Sequence, residues 1–131
     1  MKKILITGGT GFIGSHLSEY MVRKGYKVIV YDKYNINNSW GWLENSKLKN
    51  EIEVILGDIR DYDQLNKISK GVDSLIHLAA LIGIPYSYIS PLAYIKTNIE
   101  GTYNILESSK KLYSPKKSIF LDQSANLFGV V

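Results

Sequence analysis

The chain has 131 residues, a formal net charge of +4 and no cysteine. This length suits one domain with its own core, and the lack of thiols excludes disulfides, zinc–thiolate sites and a cysteine nucleophile. No stretch approaches the ~20 apolar residues of a membrane span, and the N-terminus does not read as a signal peptide, so we expect a cytoplasmic protein without a membrane partner. A loose cluster of lysines fits a solvated helix end better than a nucleic-acid surface; it comprises Lys110, Lys111, Lys116 and Lys117.

Apolar runs and helical periodicity alternate along the chain and predict an α/β fold. The predicted strands are Lys3 to Thr7, Lys27 to Tyr31, Ile52 to Leu56, Ser74 to Leu78 and Ser118 to Leu121. The predicted helices are Phe12 to Lys24, a short one near Trp42 to Leu48, Tyr62 to Ser69, and a long one from Pro91, which follows a loop over Ala79 to Ser90. Right-handed crossovers make this a doubly wound parallel sheet with strand order 3-2-1-4-5.

The turn between the first strand and the first helix carries the strongest motif. Residues Thr7–Gly14 read TGGTGFIG. Gly8, Gly11 and Gly14 have the spacing of a dinucleotide-binding turn, in which glycines permit a sharp bend, a close approach to a pyrophosphate and tight helix packing. Asp32 ends the second strand 18 residues after Gly14, where a carboxylate would meet ribose hydroxyls. A Rossmann site for a dinucleotide is predicted, and the alternative is a packing turn without a ligand.

Further stretches carry a family pattern, namely Thr7–Leu17, Gly57–Asp61, His77–Ala80 and Thr97–Thr102. In order and spacing they resemble the extended short-chain dehydrogenase/reductase family of nucleotide-sugar epimerases and dehydratases. A narrower similarity, in Asn38–Leu43 and Ile84–Pro91, is to the NAD-dependent 4,6-dehydratases that act on nucleotide-linked N-acetylhexosamines, including those of the legionaminic-acid type. The resemblance implies NAD as cofactor and a nucleotide sugar as a possible second ligand.

The resemblance also implies roles for individual residues. The cofactor would be bound by Gly8, Gly11, Phe12, Ile13, Gly14, Asp32, Asp58, Ile59, Leu78, Ala79, Ala80 and Asn98. Asp32 would accept both adenosine ribose hydroxyls and favour NAD over NADP, a preference that the neighbouring Lys33 slightly weakens. Asp58 and Ile59 would hold the adenine. Tyr86 and Ser87 would face the sugar.

The chain departs from the family pattern near its end. Ser124 matches the family's catalytic hydroxyl residue, but Ala125 and Asn126 stand where dehydratases usually carry acid–base groups, and neither transfers protons at neutral pH. The family's catalytic tyrosine and lysine would lie beyond Val131. We therefore expect residues 1–131 to form a single NAD-binding Rossmann domain, truncated before the substrate domain and inactive by itself. A non-catalytic dinucleotide-binding module or a degenerate paralogue is the alternative.

Three smaller expectations concern histidine, metal and self-association. His77 ends a buried strand, and we expect it to be a structural group rather than a general base. Two separated histidines without a cysteine predict no metal site. The helix expected over Pro91 to Lys111 has apolar residues at helical spacing and could join copies of the chain into a homo-oligomer; they are Ile95, Ile99, Tyr103 and Leu106.

Overall fold

A computed structural model describes residues 1–110 and the backbone of a strand at 118–121. The strands are β1 (Lys3–Thr7), β2 (Lys27–Lys33), β3 (Ile52–Gly57), β4 (Ser74–His77) and β5 (Ser118–Leu121). The α-helices are α1 (Phe12–Arg23), α2 (Tyr62–Ile68), α3 (Ile84–Ile89), α4 (Pro91–Tyr94) and α5 (Gly101–Lys110). Short 3₁₀ turns cover Gly41–Leu43 and Lys49–Glu51, and a π-helical segment, Ile95–Glu100, joins α4 to α5.

The strands form one parallel sheet in the order β3-β2-β1-β4-β5, which confirms the predicted doubly wound topology. β1 lies at the centre, where Leu5 is in register with Ile29 of β2 and with Leu75 of β4. The chain leaves β1 toward β2 on one side and returns to β4 on the other. In sheets of this kind the crevice for ligands opens at that reversal, beyond the carboxyl ends of the strands.

Two apolar layers bury the faces of the sheet. One layer lies between the sheet and the α2 and α5 helices and contains Leu5, Ile29, Tyr31, Leu65, Val72, Leu75 and Ile105. The other packs against α1 and contains Ile4, Ile6, Val28, Val30, Leu43, Ile52 and Leu78. Because both faces of the central strands are covered, these strands read as continuous apolar runs in the sequence.

Some predicted elements differ from the structure. The predicted loop Ala79 to Ser90 contains α3, a six-residue helix with Pro85 in its first turn, too short to show a helical period. The predicted helix near Trp42 to Leu48 does not form; the first 3₁₀ turn ends at Leu43, non-helical turns follow it, and the second 3₁₀ turn begins at Lys49. Ser46 Oγ accepts a hydrogen bond from Leu48 N–H at 3.1 Å, a side-chain bond that competes with helix formation.

The first two helices are each bounded by a residue that is typical of a helix end. α1 ends one residue earlier than predicted, and Gly25 beyond it adopts a left-handed φ of 82°. Asp61 is the N-cap of α2, and its side chain accepts a hydrogen bond from Gln64 N–H at 3.0 Å. Among residues 1–110 and 118–121, no helix is long and apolar enough to cross a membrane.

Candidate functional site

A cavity of about 210 Å³ lies at the carboxyl ends of β1 to β4. It brings together many residues that the sequence predicted as cofactor-binding: Gly8, Gly11, Asp32, Asp58, Ile59, Leu78, Ala79 and Ala80. It is also lined by residues that sequence reasoning did not assign to the site: Thr10, Tyr31, Lys33, Gly57, Leu81 and Thr97. Phe12, Ile13, Gly14 and Asn98 are predicted site residues that do not line it.

The three motif glycines meet different constraints. Gly8 has a φ of 72°, and a Cβ there would lie 2.8 Å from the main-chain nitrogen of Ala79. A Cβ on Gly14 would lie 2.2 Å from the carbonyl oxygen of Gly8 and would force α1 away from the turn. A Cβ on Gly11 would have that same oxygen at 3.3 Å as its nearest neighbour. Gly8 and Gly14 are therefore needed for packing, whereas Gly11 keeps space open beside the cavity.

The N-terminus of α1 follows this turn directly. Its N-cap residue is Gly11, which supplies no side-chain hydrogen bond to the first turn. The first N–H groups of such a helix favour an anion, both as donors and through the helix dipole. Phe12 is half-exposed, and its ring packs 4.9 Å from His16 and 5.1 Å from Trp42, measured between ring centroids.

The Asp32 carboxylate is already extensively hydrogen-bonded. Its Oδ2 accepts from the Thr10 N–H at 2.8 Å and from the Thr10 hydroxyl at 2.5 Å. Its Oδ1 accepts from the Lys33 N–H at 2.7 Å. These bonds use three of the roughly four acceptor positions of a carboxylate. The expectation that Asp32 accepts both ribose hydroxyls therefore requires one of these bonds to be released.

The Asp58 carboxylate is paired with Arg60. Arg60 Nη2 lies 2.6 Å from Oδ2, and Nε lies 3.0 Å from both carboxylate oxygens. These guanidinium hydrogen bonds lower the pKa of the Asp58 carboxyl below its usual value. Both side chains are partly exposed, so the pair is weak and can rearrange. The contact expected between Asp58 and an adenine amino group would compete with Arg60.

Tyr31 anchors the loop that carries Asp58. Its buried hydroxyl accepts a hydrogen bond from the Asp58 N–H at 2.8 Å and lies 2.9 Å from the Asp58 carbonyl oxygen and 2.7 Å from Gln64 Oε1. Burial raises the pKa of Tyr31 to about 12. A Cβ on Gly57 would lie 2.4 Å from this hydroxyl oxygen, which explains the glycine. These hydrogen bonds of Tyr31 connect β2 to the residue that follows β3. No local sequence pattern predicts them.

His77 is a satisfied structural group. Its ring is fully buried, with Nδ1 2.6 Å from the Thr7 hydroxyl oxygen and Nε2 3.1 Å from the Thr102 hydroxyl oxygen. Thr102 donates its proton to the Asn98 carbonyl at 2.7 Å, so its oxygen accepts from Nε2–H and Nδ1 accepts from Thr7. Burial lowers the pKa of His77 to about 4. This environment favours a neutral imidazole and does not suit a general base that works near neutral pH.

The predicted sugar-facing residues lie on α3, outside the cavity lining. The ring of Tyr86 is 6.1 Å from that of Tyr94, and Ser87 donates its hydroxyl to the Ile84 carbonyl at 2.6 Å. Ser124, Ala125, Asn126 and Lys111 lie outside the residues that the structure describes.

The chain is similar to known families and proteins. The family model described as GDP-mannose 4,6 dehydratase matches residues 5–131. A UDP-N-acetyl-alpha-D-glucosaminuronate decarboxylase of Bacillus cytotoxicus is 33% identical over 98% of this chain, and a UDP-glucose 4-epimerase of Neisseria meningitidis is 36% identical over 98%. In both cases the chain spans 38% of the relative's length.

Solved structures give the same result. The UDP-glucose 4-epimerase of Thermotoga maritima, determined with UDP-glucose, superposes with a TM-score of 0.74 at 30% identity, over 91% of this chain and 37% of that one. The enzyme of Brucella ovis in complex with NAD gives 0.71 at 25% identity, over 92% and 35%. The predicted resemblance to nucleotide-sugar epimerases and dehydratases is confirmed, and the chain belongs to the GDP-mannose 4,6 dehydratase family.

Proposed function

We propose that this chain is the NAD-binding domain of a nucleotide-sugar epimerase or 4,6-dehydratase. The observation that carries the proposal is the cavity at the strand reversal, where the glycine turn, Asp32 and Asp58 meet. The Brucella ovis relative, which is similar over 92% of this chain, is described in complex with NAD. The chain spans 38% of the first curated relatives, so the activity of a whole enzyme is part of the proposal.

Residues that line the cavity, together with neighbours on α1 and on the π-helical segment, fit the parts of a dinucleotide. Phe12, Ile13 and Gly14 in the first turn of α1 would offer main-chain N–H groups to a pyrophosphate. Gly8 and Gly11, whose own N–H groups donate to the Tyr31 and Gly8 carbonyls, would offer little bulk. The loop Asp58–Ile59 would hold the adenine. The segment Leu78–Ala80 would pass beneath the cofactor. Asn98 would hold this side of the cavity in place through its hydrogen bonds to Leu81. When bound, NAD would accept a hydride from a sugar carbon and could return it.

The site should prefer NAD to NADP. The Asp32 carboxylate would repel the 2′-phosphate of NADP. Lys33, which also lines the cavity, would attract that phosphate through its ammonium group and slightly weaken the preference. Tyr86 and Ser87 on α3, together with Ser124, are proposed to face a nucleotide sugar.

Self-association through helix 91–110 is part of the same proposal. Large apolar side chains on this helix are between 40% and 66% exposed; they are Leu92, Ile95, Ile99, Tyr103 and Leu106. They lie on α4, the π-helical segment and α5, and a second copy of the chain would cover this exposed apolar surface by two-fold symmetry. Light scattering should show a dimer that Ile99→Glu dissociates, whereas Tyr20→Glu, at an exposed position of α1, leaves it intact. A monomeric native chain would contradict this part of the proposal.

Calorimetric titration of the full chain with NAD tests the cofactor. We expect one NAD per chain and at least tenfold weaker binding in Asp32→Ala. Asp63→Ala removes an exposed carboxylate on α2 and should leave the affinity unchanged. A native chain that does not bind NAD would refute the proposal.

Incubation with nucleotide sugars separates an enzyme from a binding module. Product analysis of the NAD-loaded chain with UDP-glucose or GDP-mannose reports any turnover. Because the chain by itself is expected to be inactive, the decisive assay adds a separately encoded C-terminal half. Turnover in that mixture supports the enzyme, whereas NAD binding without turnover there supports the cofactor-binding module, the alternative that the sequence leaves open. A cytoplasmic location completes the proposal, and fractionation of source cells tests it.

A further inference from the structure

We propose that Thr10 is a positioning residue that sets the preference of this site between NAD and NADP by fixing the carboxylate of Asp32. The inference rests on the proposed function, because it concerns the same cavity. Thr10 lies between Gly9 and Gly11 of the glycine turn and is not among the residues that the sequence predicted for the site.

Thr10 holds one oxygen of Asp32 with two donors. Its N–H and its hydroxyl both reach Oδ2, at 2.8 and 2.5 Å. The other oxygen receives the Lys33 N–H at 2.7 Å. The terminal torsion of an aspartate is broad and carries no strong intrinsic preference. The orientation of the Asp32 carboxylate therefore depends on these three hydrogen bonds. Two of the donors are main-chain N–H groups, so only the bond from the Thr10 hydroxyl can be removed by a side-chain substitution.

Thr10 is itself fixed from the opposite side. Its carbonyl oxygen accepts a hydrogen bond from the Trp42 N–H at 2.9 Å. Gly41 has a φ of 52°, and a Cβ there would lie 2.6 Å from the same oxygen. Trp42 also packs edge-on against Phe12, with 5.1 Å between ring centroids. Thr10 thus joins the glycine turn, the end of β2 and the Gly41–Leu43 turn.

This connection matters for specificity because NAD and NADP differ by a single phosphate at the ribose 2′ position. A carboxylate discriminates between them only if its charge is held close to that position, since repulsion weakens with distance and with exposure to water. A carboxylate that swings into solvent would tolerate the phosphate better. Lys33, which also lines the cavity, would then dominate the local charge.

A graded series at position 10 tests the inference. Thr10→Ser retains a hydroxyl and should keep the ratio of the NADP and NAD dissociation constants. Thr10→Ala removes the hydroxyl and should lower that ratio by about 3- to 10-fold. Thr10→Val puts a methyl group where the hydroxyl lies 2.5 Å from Oδ2, but carbon and oxygen stay at least about 3.3 Å apart. The carboxylate must then move, and the ratio should fall further.

The same titrations in an Asp32→Ala background show whether Thr10 acts through the carboxylate. We expect Thr10→Ala to have no additional effect on the ratio there, because the group it positions is gone. Equal weakening of NAD and NADP, or the same ratio change with and without Asp32, would overturn the inference and leave Thr10 as a packing residue. A native chain that binds neither nucleotide would refute the proposed function and this inference together. Binding with an unchanged ratio in folded Thr10→Ala and Thr10→Val would refute the inference alone.

Discussion

Asn98 holds both main-chain groups of Leu81, a residue 17 positions earlier in the chain. Its Oδ1 accepts from the Leu81 N–H at 2.8 Å, and its Nδ2 donates to the Leu81 carbonyl at 2.8 Å. Asn98 lies in the π-helical segment Ile95–Glu100, whereas Leu81 lines the cavity. A π-turn carries one more residue than the α-helix around it and shifts the register of its side chains. Asn98 is therefore the link between this irregular turn and the cavity wall.

The first prediction concerns this link. Asn98→Asp keeps the shape of the side chain but replaces the Nδ2 donor with an anionic oxygen that faces the Leu81 carbonyl. We expect a loss of about 2 kcal/mol in the free energy of unfolding, measured in urea, and weaker NAD binding because the wall loosens. Asn37→Asp, at an exposed position of the loop after β2, should cost less than about 0.5 kcal/mol. Equal stability of the two variants would contradict a structural link through Asn98.

The second prediction concerns the Tyr31 anchor beneath the loop Asp58–Ile59, which is proposed to hold the adenine. Tyr31→Phe removes the hydroxyl that pairs with the Asp58 main chain and Gln64, leaving buried polar groups without a partner. The expected cost is about 1–3 kcal/mol of unfolding free energy. NAD affinity should fall with it, because Asp58 and Ile59 lose their fixed position. Tyr20→Phe on α1, where the ring is exposed, is the matched control. Unchanged NAD affinity in Tyr31→Phe would show that the anchor does not support the site.

The third prediction concerns the titration of the Tyr31 hydroxyl at alkaline pH. Burial raises the pKa of Tyr31 from 10.0 to about 12, so the folded state holds this proton more tightly than the unfolded state. The resulting stability is present below pH 10 and is lost as the pH rises from 10 to 12. Ultraviolet titration of the tyrosinates should show one late tyrosine that is missing in Tyr31→Phe. A wild-type titration that matches the variant would contradict the burial of this hydroxyl.

Local sequence patterns predict much of this fold. The strand order follows from alternating apolar strands and amphipathic helices together with the right-handed crossover rule. The positions of Gly8 and Asp32 at strand ends then place them at one crevice. Such inferences succeed because each depends on a short segment and on one general rule of chain geometry.

The hydrogen-bond partners of the site depend instead on how distant segments pack. The bonds from Thr10 to Asp32 span 22 residues, and those from Tyr31 to Asp58 span 27. No periodicity in the sequence encodes either pairing. The ion pair of Asp58 with Arg60 is different, since opposite charges two residues apart in the Gly57–Asp61 stretch are a local signal. The sequence resemblance places Asp58 at the adenine, but it does not predict the pairing with Arg60.

The fourth prediction concerns acid stability and His77. Burial lowers the pKa of its imidazole from 6.5 to about 4, so the unfolded chain binds this proton more tightly than the folded one. The contribution of the neutral His77 ring to the free energy of unfolding is fully present above pH 6.5. It is lost as the pH falls toward 4, and the loss amounts to at most about 3 kcal/mol. Urea unfolding across this range should show the loss in wild type and in His16→Gln, and a smaller loss in His77→Gln. An unchanged pH dependence in His77→Gln would assign the effect to other groups.

The fifth prediction separates the glycine that opens the cavity from the glycine that packs the helix. In Gly11→Ala the new Cβ would meet only the Gly8 carbonyl oxygen, at 3.3 Å, so the fold should lose less than about 1 kcal/mol. NAD binding should weaken at least tenfold, because the methyl group enters the space beside the α1 N-terminus. In Gly14→Ala the Cβ would lie 2.2 Å from the Gly8 carbonyl oxygen and 2.6 Å from Gly9 Cα. These are main-chain atoms that cannot rotate away, so unfolding should become easier by about 3 kcal/mol, even though alanine favours a helix. Calorimetry and urea unfolding on both variants give the two quantities independently. If Gly11→Ala loses stability as Gly14→Ala does while still binding NAD normally, the space beside Gly11 serves packing and not the cofactor.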